Sequence, residues 1–359
     1  MTEPTRVDQL STPALLVDLD AFEANVAAAD DLLRGTGKTL RPHLKTHRTP
    51  GLALMQLAPP TAAGVTCATV GEAEAMDAAG GEDVLVANEI ASPEKADRLA
   101  RLAGAARVIV AADSPGGVEV LSTAAQRAGT AVDVLVDVDV GLGRCGVPDA
   151  AAAVALAQLV DTAPGLRVAG LMGYEGRIRA DDDERGEKLA RTAAGIADAK
   201  SAMDAAGFDT AIVSSAGTST LFDARADPIV TEIQAGTYVM MESDLDGLDL
   251  PFVPSLSIVA AVISVGPGRV VLDVGRKSIA GDYGPPKAIG AGTEGARTVK
   301  FHEEHTTLAW PGPLPALDAR ILLRPKHVRL TCNLHDQLWL HRGDDVVDRL
   351  PVAARGRSQ

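Results

Sequence analysis

The chain has 359 residues, 46% of them hydrophobic, with 48 acidic against 34 basic residues and a formal net charge of −14. That acidity and the absence of any Lys/Arg block argue against a nucleic-acid surface, and no run approaches the roughly 18 apolar residues of a membrane span. The three cysteines, Cys67, Cys145 and Cys332, are far apart and form no CxxC pair, so with the polar start MTEPTRVDQL a reducing, cytoplasmic setting is expected.

Ala14–Asp20 reads as a short strand, and Asp20 is placed to cap a helix from Ala21 to Arg34 that ends at Gly35-Thr-Gly37. Short apolar runs then alternate with alanine- and leucine-rich amphipathic segments. The strands are read as Leu40–Lys45, Gly64–Thr69, Asp83–Asn88, Arg107–Ala112, Val132–Asp139, Val168–Tyr174, Ala211–Ser215 and Thr231–Gln234. The helices between them are Gly51–Leu57, Glu72–Ala79, Pro93–Leu102, Gly117–Ala128, Asp149–Val160, Glu184–Ala206 and Thr218–Arg225. Eight β-α units in about 200 residues fit a (β/α)8 barrel better than an open doubly wound sheet, and no GxGxxG follows the first strand. After Met241 the texture changes to β-rich runs: Ser257–Val265, Arg269–Val274, Thr306–Trp310, Ala319–Leu323, His327–Cys332 and Gln337–His341. The expected α/β architecture is therefore a barrel over 21–245 followed by a smaller all-β domain built from 1–20 plus 246–359. Ala354–Gln359 reads as a frayed tail.

Chemistry in such barrels gathers at the C-terminal ends of the strands. The first strand ends in Lys45-Thr-His47, and in a strand Lys45 shares a face with His43 and His47. An amine in apolar surroundings loses its proton easily, which makes Lys45 a candidate Schiff-base nucleophile; the alternative is a strand-end lysine reaching to water. The seventh and eighth strands end in Ser214-Ser-Ala-Gly-Thr-Ser219 and Gln234-Ala-Gly-Thr-Tyr238. Exposed N–H groups and hydroxyls there suit an anion or phosphate, although such turns also simply cap helices. Arg144, inside Gly141-Leu-Gly-Arg-Cys-Gly146, either binds a phenolate or carboxylate oxygen or is a surface turn residue. Tyr174, Tyr238 and Tyr283 sit at strand ends or beside glycines in a chain with only 3% aromatics. An amine, a phosphate cradle and an arginine for a ring oxygen are together the requirements of pyridoxal phosphate.

RPHLKTH, VDVGLGRCGV, GLMGYEG, SSAGTST and PKHVRLTCNLHD, in this order over nearly the whole chain, resemble the D-threonine aldolase / D-serine dehydratase family of alanine-racemase-like barrel enzymes. The resemblance implies a pyridoxal phosphate lyase with Lys45 as the cofactor lysine and Arg144 beside the cofactor's ring oxygen. It implies Ser215, Gly217, Thr218, Gly236, Thr237 and Tyr238 at the phosphate, Tyr174 near the substrate, and a homodimer. The substrate class is D-3-hydroxy amino acids, cleaved by retro-aldol reaction to glycine and an aldehyde, with His47 or His327 as the base. Dehydration to a 2-oxo acid, racemisation and non-catalytic cofactor binding are the alternatives. The family also implies a divalent ion held by His-x-Cys or His-x-Asp, but the matching run here is His327-Val-Arg329. A guanidinium has no lone pair to ligate a metal. Either the ion is absent, with Arg329 supplying its charge, or His335, Asp336 and Cys332 complete a site. His302 and His305 are expected to play structural or surface roles.

Overall fold

The computed structural model describes residues 5–176, 178–179 and 181–359. β1 (Ala14–Asp18) and α1 (Leu19–Leu33) come first, and Asp18 rather than Asp20 caps the helix, its Oδ1 accepting the Ala21 N–H at 3.1 Å. The chain divides into two compact units: a barrel unit of Ala29–Lys45, Leu52–Gly236 and Arg357–Gln359, and a β unit made from the chain up to Ala28, Thr46–Gly51 and Thr237–Gly356. The boundaries expected after residues 20 and 245 fall after Ala28 and Gly236 instead, and neither the piece 46–51 in the β unit nor 357–359 in the barrel unit was anticipated.

In the barrel unit the strands are β2 (Thr39–Leu40), β3 (Val65–Cys67), β4 (Asp83–Glu89), β5 (Arg107–Ala112), β6 (Val132–Asp137), β7 (Leu166–Gly173), β8 (Ile212–Ser215) and β9 (Glu232–Ile233). Among the described residues they form one eight-stranded parallel sheet in the order β2-β9-β8-β7-β6-β5-β4-β3. Bridges from Leu40 to Ala62 and from His43 to Thr66 bring the first strand back beside the last and curl the sheet into a barrel. Buried residues occupy both faces of the middle strands. Leu85, Ile109, Leu135 and Met172 cluster on one, and Val84, Val108, Val134 and Val136 are buried on the other. Strands covered on both sides read as continuous apolar runs, which is why they are visible in the sequence.

The helices are α2 (Pro50–Gln56), α3 (Val70–Asp77), α4 (Pro93–Leu102), α5 (Pro115–Ala128), α6 (Ala150–Thr162), α7 (Arg185–Ala205) and α8 (Leu221–Ala226). Side-chain caps start three of them: Thr69 accepts from Glu72 N–H, Ser114 from Gly117 N–H and Asp149 from Ala152 N–H. The expected first strand, Leu40–Lys45, is a correction. Its regular ladder is Thr39–Leu40, the Arg41 and His43 N–H groups still reach the Ile233 and Ala235 carbonyls at 2.8 and 3.2 Å, and the chain then tightens into a 3-10 turn at Leu44–Thr46. Arg41 compensates for the short pairing. Fully buried, it donates Nε–H to Glu232 of β9 at 2.8 Å and Nη1–H to Asp83 of β4.

The β unit adds β10 (Leu256–Gly266), β11 (Arg269–Leu272), β12 (Lys287–Ile289), β13 (Arg297–Phe301), β14 (Thr306–Ala309), β15 (Arg320–Arg324), β16 (Gln337–Arg342) and β17 (Asp345–Pro351). With β1 these make a sheet of nine strands among the described residues, β1 lying antiparallel to β10 and parallel to β16. β12, β13 and β17 were not anticipated, because charged and exposed positions dominate them. The expected strand His327–Cys332 is instead α9 (Val328–Cys332), a single helical turn with His327 at its N-cap. The tail does not fray: Gln359 accepts the Gly71 N–H at 2.8 Å and Arg357 accepts the Thr69 hydroxyl at 2.5 Å. Among the described residues no helix is long and apolar enough to cross a membrane.

Candidate active site

Lys45 sits in the 3-10 turn just past β2, partly buried, and is the last residue of the first barrel segment. Because the turn is not a strand, the shared face expected for His43, Lys45 and His47 does not exist. His43 instead lies against β3 through its bridge to Thr66. Lys45 is brought to Tyr174, just beyond β7, with its Nζ 5.7 Å from the ring centroid. The Arg144 guanidinium lies over the same ring at 5.6 Å. One phenol thus gathers two cations contributed by distant parts of the sheet, a favourable arrangement for an aromatic quadrupole.

Arg144 is carried by a tight loop after β6. Asp139 Oδ1 accepts the N–H groups of Gly141 and Gly143 at 2.9 and 3.0 Å, and these bonds, Gly143's foremost, lower its pKa. At Gly146 φ is +106°, and a Cβ would stand 2.4 Å from the Asp139 nitrogen, so only glycine fits. Behind this loop lies an acidic group. Burial, then a hydrogen bond that the protonated acid gives to Glu89, pushes the Asp137 carboxyl up to about 8. The same two causes push the Cys145 thiol up to about 11. Glu89, Asp113 and Cys145 place donor atoms within 4.8 Å of one another.

The loop after β8 is the candidate cradle. A Cβ at Gly217 would meet the Tyr174 ring at 3.7 Å, so any side chain there would fill the space beside the ring. Thr218 is buried in the following 3-10 turn. Ser215 gives its hydroxyl proton to Gly173 carbonyl oxygen at 2.7 Å and keeps only acceptor capacity. The loop is held from below by Glu175, whose Oε1 accepts the Thr220 hydroxyl, while Thr220 Oγ1 accepts the Gly217 N–H at 3.2 Å. Burial raises the Glu175 pKa, and its second oxygen has no hydrogen-bond partner among the described residues. Gly236 ends this unit after β9.

The other expected site residues belong to the β unit. Thr237 and Tyr238 form a 3-10 turn, with Tyr238 fully buried and its ring 5.4 Å from that of Phe252. His47 is fully buried, and its Nδ1 accepts the Thr49 N–H at 3.1 Å. In the neutral ring its proton therefore sits on Nε2, a donor position rather than a base. His327 has the opposite arrangement: Nδ1 lies 2.5 Å from Asp282, and Tyr283 stacks on the ring at 4.2 Å. A neutral His327 giving Nδ1–H to Asp282 keeps its lone pair on Nε2.

Next to it Arg329 binds the wholly buried Glu242 in bidentate fashion, through Nε and Nη2, each at 3.2 Å. The Val328 N–H reaches the same carboxylate at 3.1 Å. Of the groups considered as completing a metal site, His335 Nε2 is on the Ser278 carbonyl, Asp336 pairs with Arg355, and Cys332 is fully buried, its thiol pushed up to about 12 by burial and then by Glu242. His302 and His305 are exposed. Asp137, Glu89, Glu175, Glu242 and Asp282 were not singled out from sequence. The first three end or follow strands, a position that offered a signal; Glu242 and Asp282 offered none.

Comparison with known proteins follows this geometry. Residues 17–244 match the family described as alanine racemase, N-terminal domain, and residues 255–341 a putative serine dehydratase domain. A D-threonine aldolase of Arthrobacter sp. is 38% identical over 98% of this chain and 94% of its own length. A 3-hydroxy-D-aspartate aldolase of Paracoccus denitrificans is 33% identical over 97% of this chain and 93% of its own length. The crystal structure of D-threonine aldolase from Filomicrobium marinum superposes with a TM-score of 0.94 at 35% identity, covering 100% of both chains. The chain belongs to the alanine racemase N-terminal domain family, as a two-part enzyme of the aldolase kind in which a strand-rich domain follows the barrel.

Proposed function

We propose that this chain is a pyridoxal phosphate-dependent lyase that cleaves D-3-hydroxy amino acids to glycine and an aldehyde. The observation that carries the reading is the convergence of Lys45 and Arg144 on Tyr174, with Gly217 open beside that ring. An amine, a cation and a glycine-lined turn suit an aldehyde-bearing, phosphorylated aromatic ring, and a side chain at 217 would exclude it. The cofactor, when bound, supplies the electron sink for the bond that breaks.

The chain's own residues do the rest. Lys45 would hold the cofactor through its side-chain amine. Arg144 would face the cofactor's ring oxygen, and its loop keeps the guanidinium oriented. The backbone and hydroxyls at Gly217, Thr218, Gly236 and Thr237 would take the phosphate, with Ser215 shaping the loop through Gly173 and Tyr238 anchoring its turn by burial. Tyr174 orients the substrate. Of the two histidines, His327 is the base: its Nε2 takes the 3-hydroxyl proton while Asp282 holds Nδ1–H and stabilises the imidazolium that results. The finer reading is a cytoplasmic homodimer, checked by sedimentation of the purified protein.

Purified protein is expected to absorb visible light, to lose that band in Lys45→Ala, and to convert D-threonine to glycine and acetaldehyde. A 2-oxo acid with ammonia as the product would make it a dehydratase; a colourless protein that ignores added cofactor would end the reading.

A further inference from the structure

We propose that the β unit of this chain works without a divalent cation, its place taken by the Arg329–Glu242 pair. The ion that the family resemblance implies would need a ligand two residues after His327, and that residue is Arg329. Its guanidinium has no lone pair and a permanent charge. It is also tied to Glu242. Both Glu242 oxygens are engaged by it, and the Val328 and Arg329 N–H groups bind the same carboxylate at 3.1 and 3.5 Å.

The remaining donors do not assemble a site beside it. His327 Nδ1 is spent on Asp282, and its Nε2 stands 3.8 Å from a Glu242 oxygen already bound by the guanidinium. A cation at Nε2 would sit against that fixed positive charge. Among the described residues no trio of His, Cys, Asp or Glu around His327 has donor atoms close enough to share an ion. The Arg329 side chain is a quarter exposed. Its Nη1 group and one Nη2 hydrogen have no partner among the described residues, so an oxygen-bearing ligand meets a cation that no chelator can remove.

Two readouts are independent of the proposed lyase activity. Protein purified without chelator is expected to carry substoichiometric metal, and its Tm is expected to stay put when Mn2+ is added. Arg329→Asp restores a carboxylate beside His327 and Glu242 and is expected to gain a Tm rise of about 5 °C with Mn2+. One tightly held ion per wild-type chain, lost in His327→Ala, overturns the inference, as does a wild-type Tm that climbs with Mn2+ and ceases to do so in that variant. An activity arm rests on the lyase reading: turnover of D-threonine is expected to survive EDTA, and its loss on chelation with recovery on Mn2+ overturns the inference. Should no turnover exist with or without EDTA, the lyase reading fails, while metal content and Tm still decide this one.

Discussion

Asp137 and His327 show how single protons are managed in the two units. Folded Asp137 titrates near 8, against the ordinary 3.8 of an unfolded aspartate, because burial and then Glu89 disfavour its anion. Between those values the folded state holds a proton that the unfolded state has lost. The stability this group confers is complete below 3.8 and drains away as pH rises to about 8. Asp137→Asn is expected to flatten that slope, so urea midpoints at pH 5 and pH 8 should differ less in the variant than in the wild type. For His327, Asp282→Asn removes the carboxylate that fixes the tautomer. It is expected to lower kcat by about 10²–10⁴-fold while leaving the visible spectrum intact, a split that steady-state kinetics and absorbance read together. Neither carboxylate was marked by sequence. An aspartate closing an apolar strand, as in VDVLVD, reads equally as a solvated end, and Asp282 reaches His327 only through the fold, from 45 residues away.

At the scale of elements, the short β2 makes barrel closure depend on Arg41. This arginine stands in RPHLKTH, two residues before His43, yet its work is done with Glu232 and Asp83. Arg41→Met leaves the buried Glu232 without its cation and is expected to cost about 3–5 kcal/mol in chemical denaturation. Much of that loss should return in Arg41→Met combined with Glu232→Leu. The strands covered on both faces were legible as apolar runs, and helix starts were legible from Thr69, Ser114 and Asp149. The segment around Lys45 was not: the backbone keeps strand-like bonds as far as His43 and only then turns at Leu44–Thr46. Likewise VRLTC has the composition of a strand, and its turn of helix is fixed from outside by the Glu242 carboxylate accepting two of its N–H groups.

For the whole molecule, two domains of different texture were plain from the change after Met241. The N-terminal segment was expected in the β unit; what composition could not reveal is that Thr46–Gly51 also joins it and that Arg357–Gln359 belongs to the barrel unit. The last three residues return to the barrel unit and tie down the start of α3 through Thr69 and Gly71. Deleting Arg357–Gln359 is expected to lower Tm by about 2–4 °C, the equivalent of roughly 1 kcal/mol, as scanning calorimetry would read it. β1 carries the same interleaving further. In chain order it is the first strand among the described residues, and its neighbours in the sheet, β10 and β16, lie some 240 and 320 residues downstream. At ribosomal speeds of about 5–20 residues per second, the apolar run Ala14–Val17 waits roughly 15–60 s for its last neighbour. A nascent chain of this protein therefore carries that run unpaired until β16 emerges, an interval open to chaperones or to aggregation.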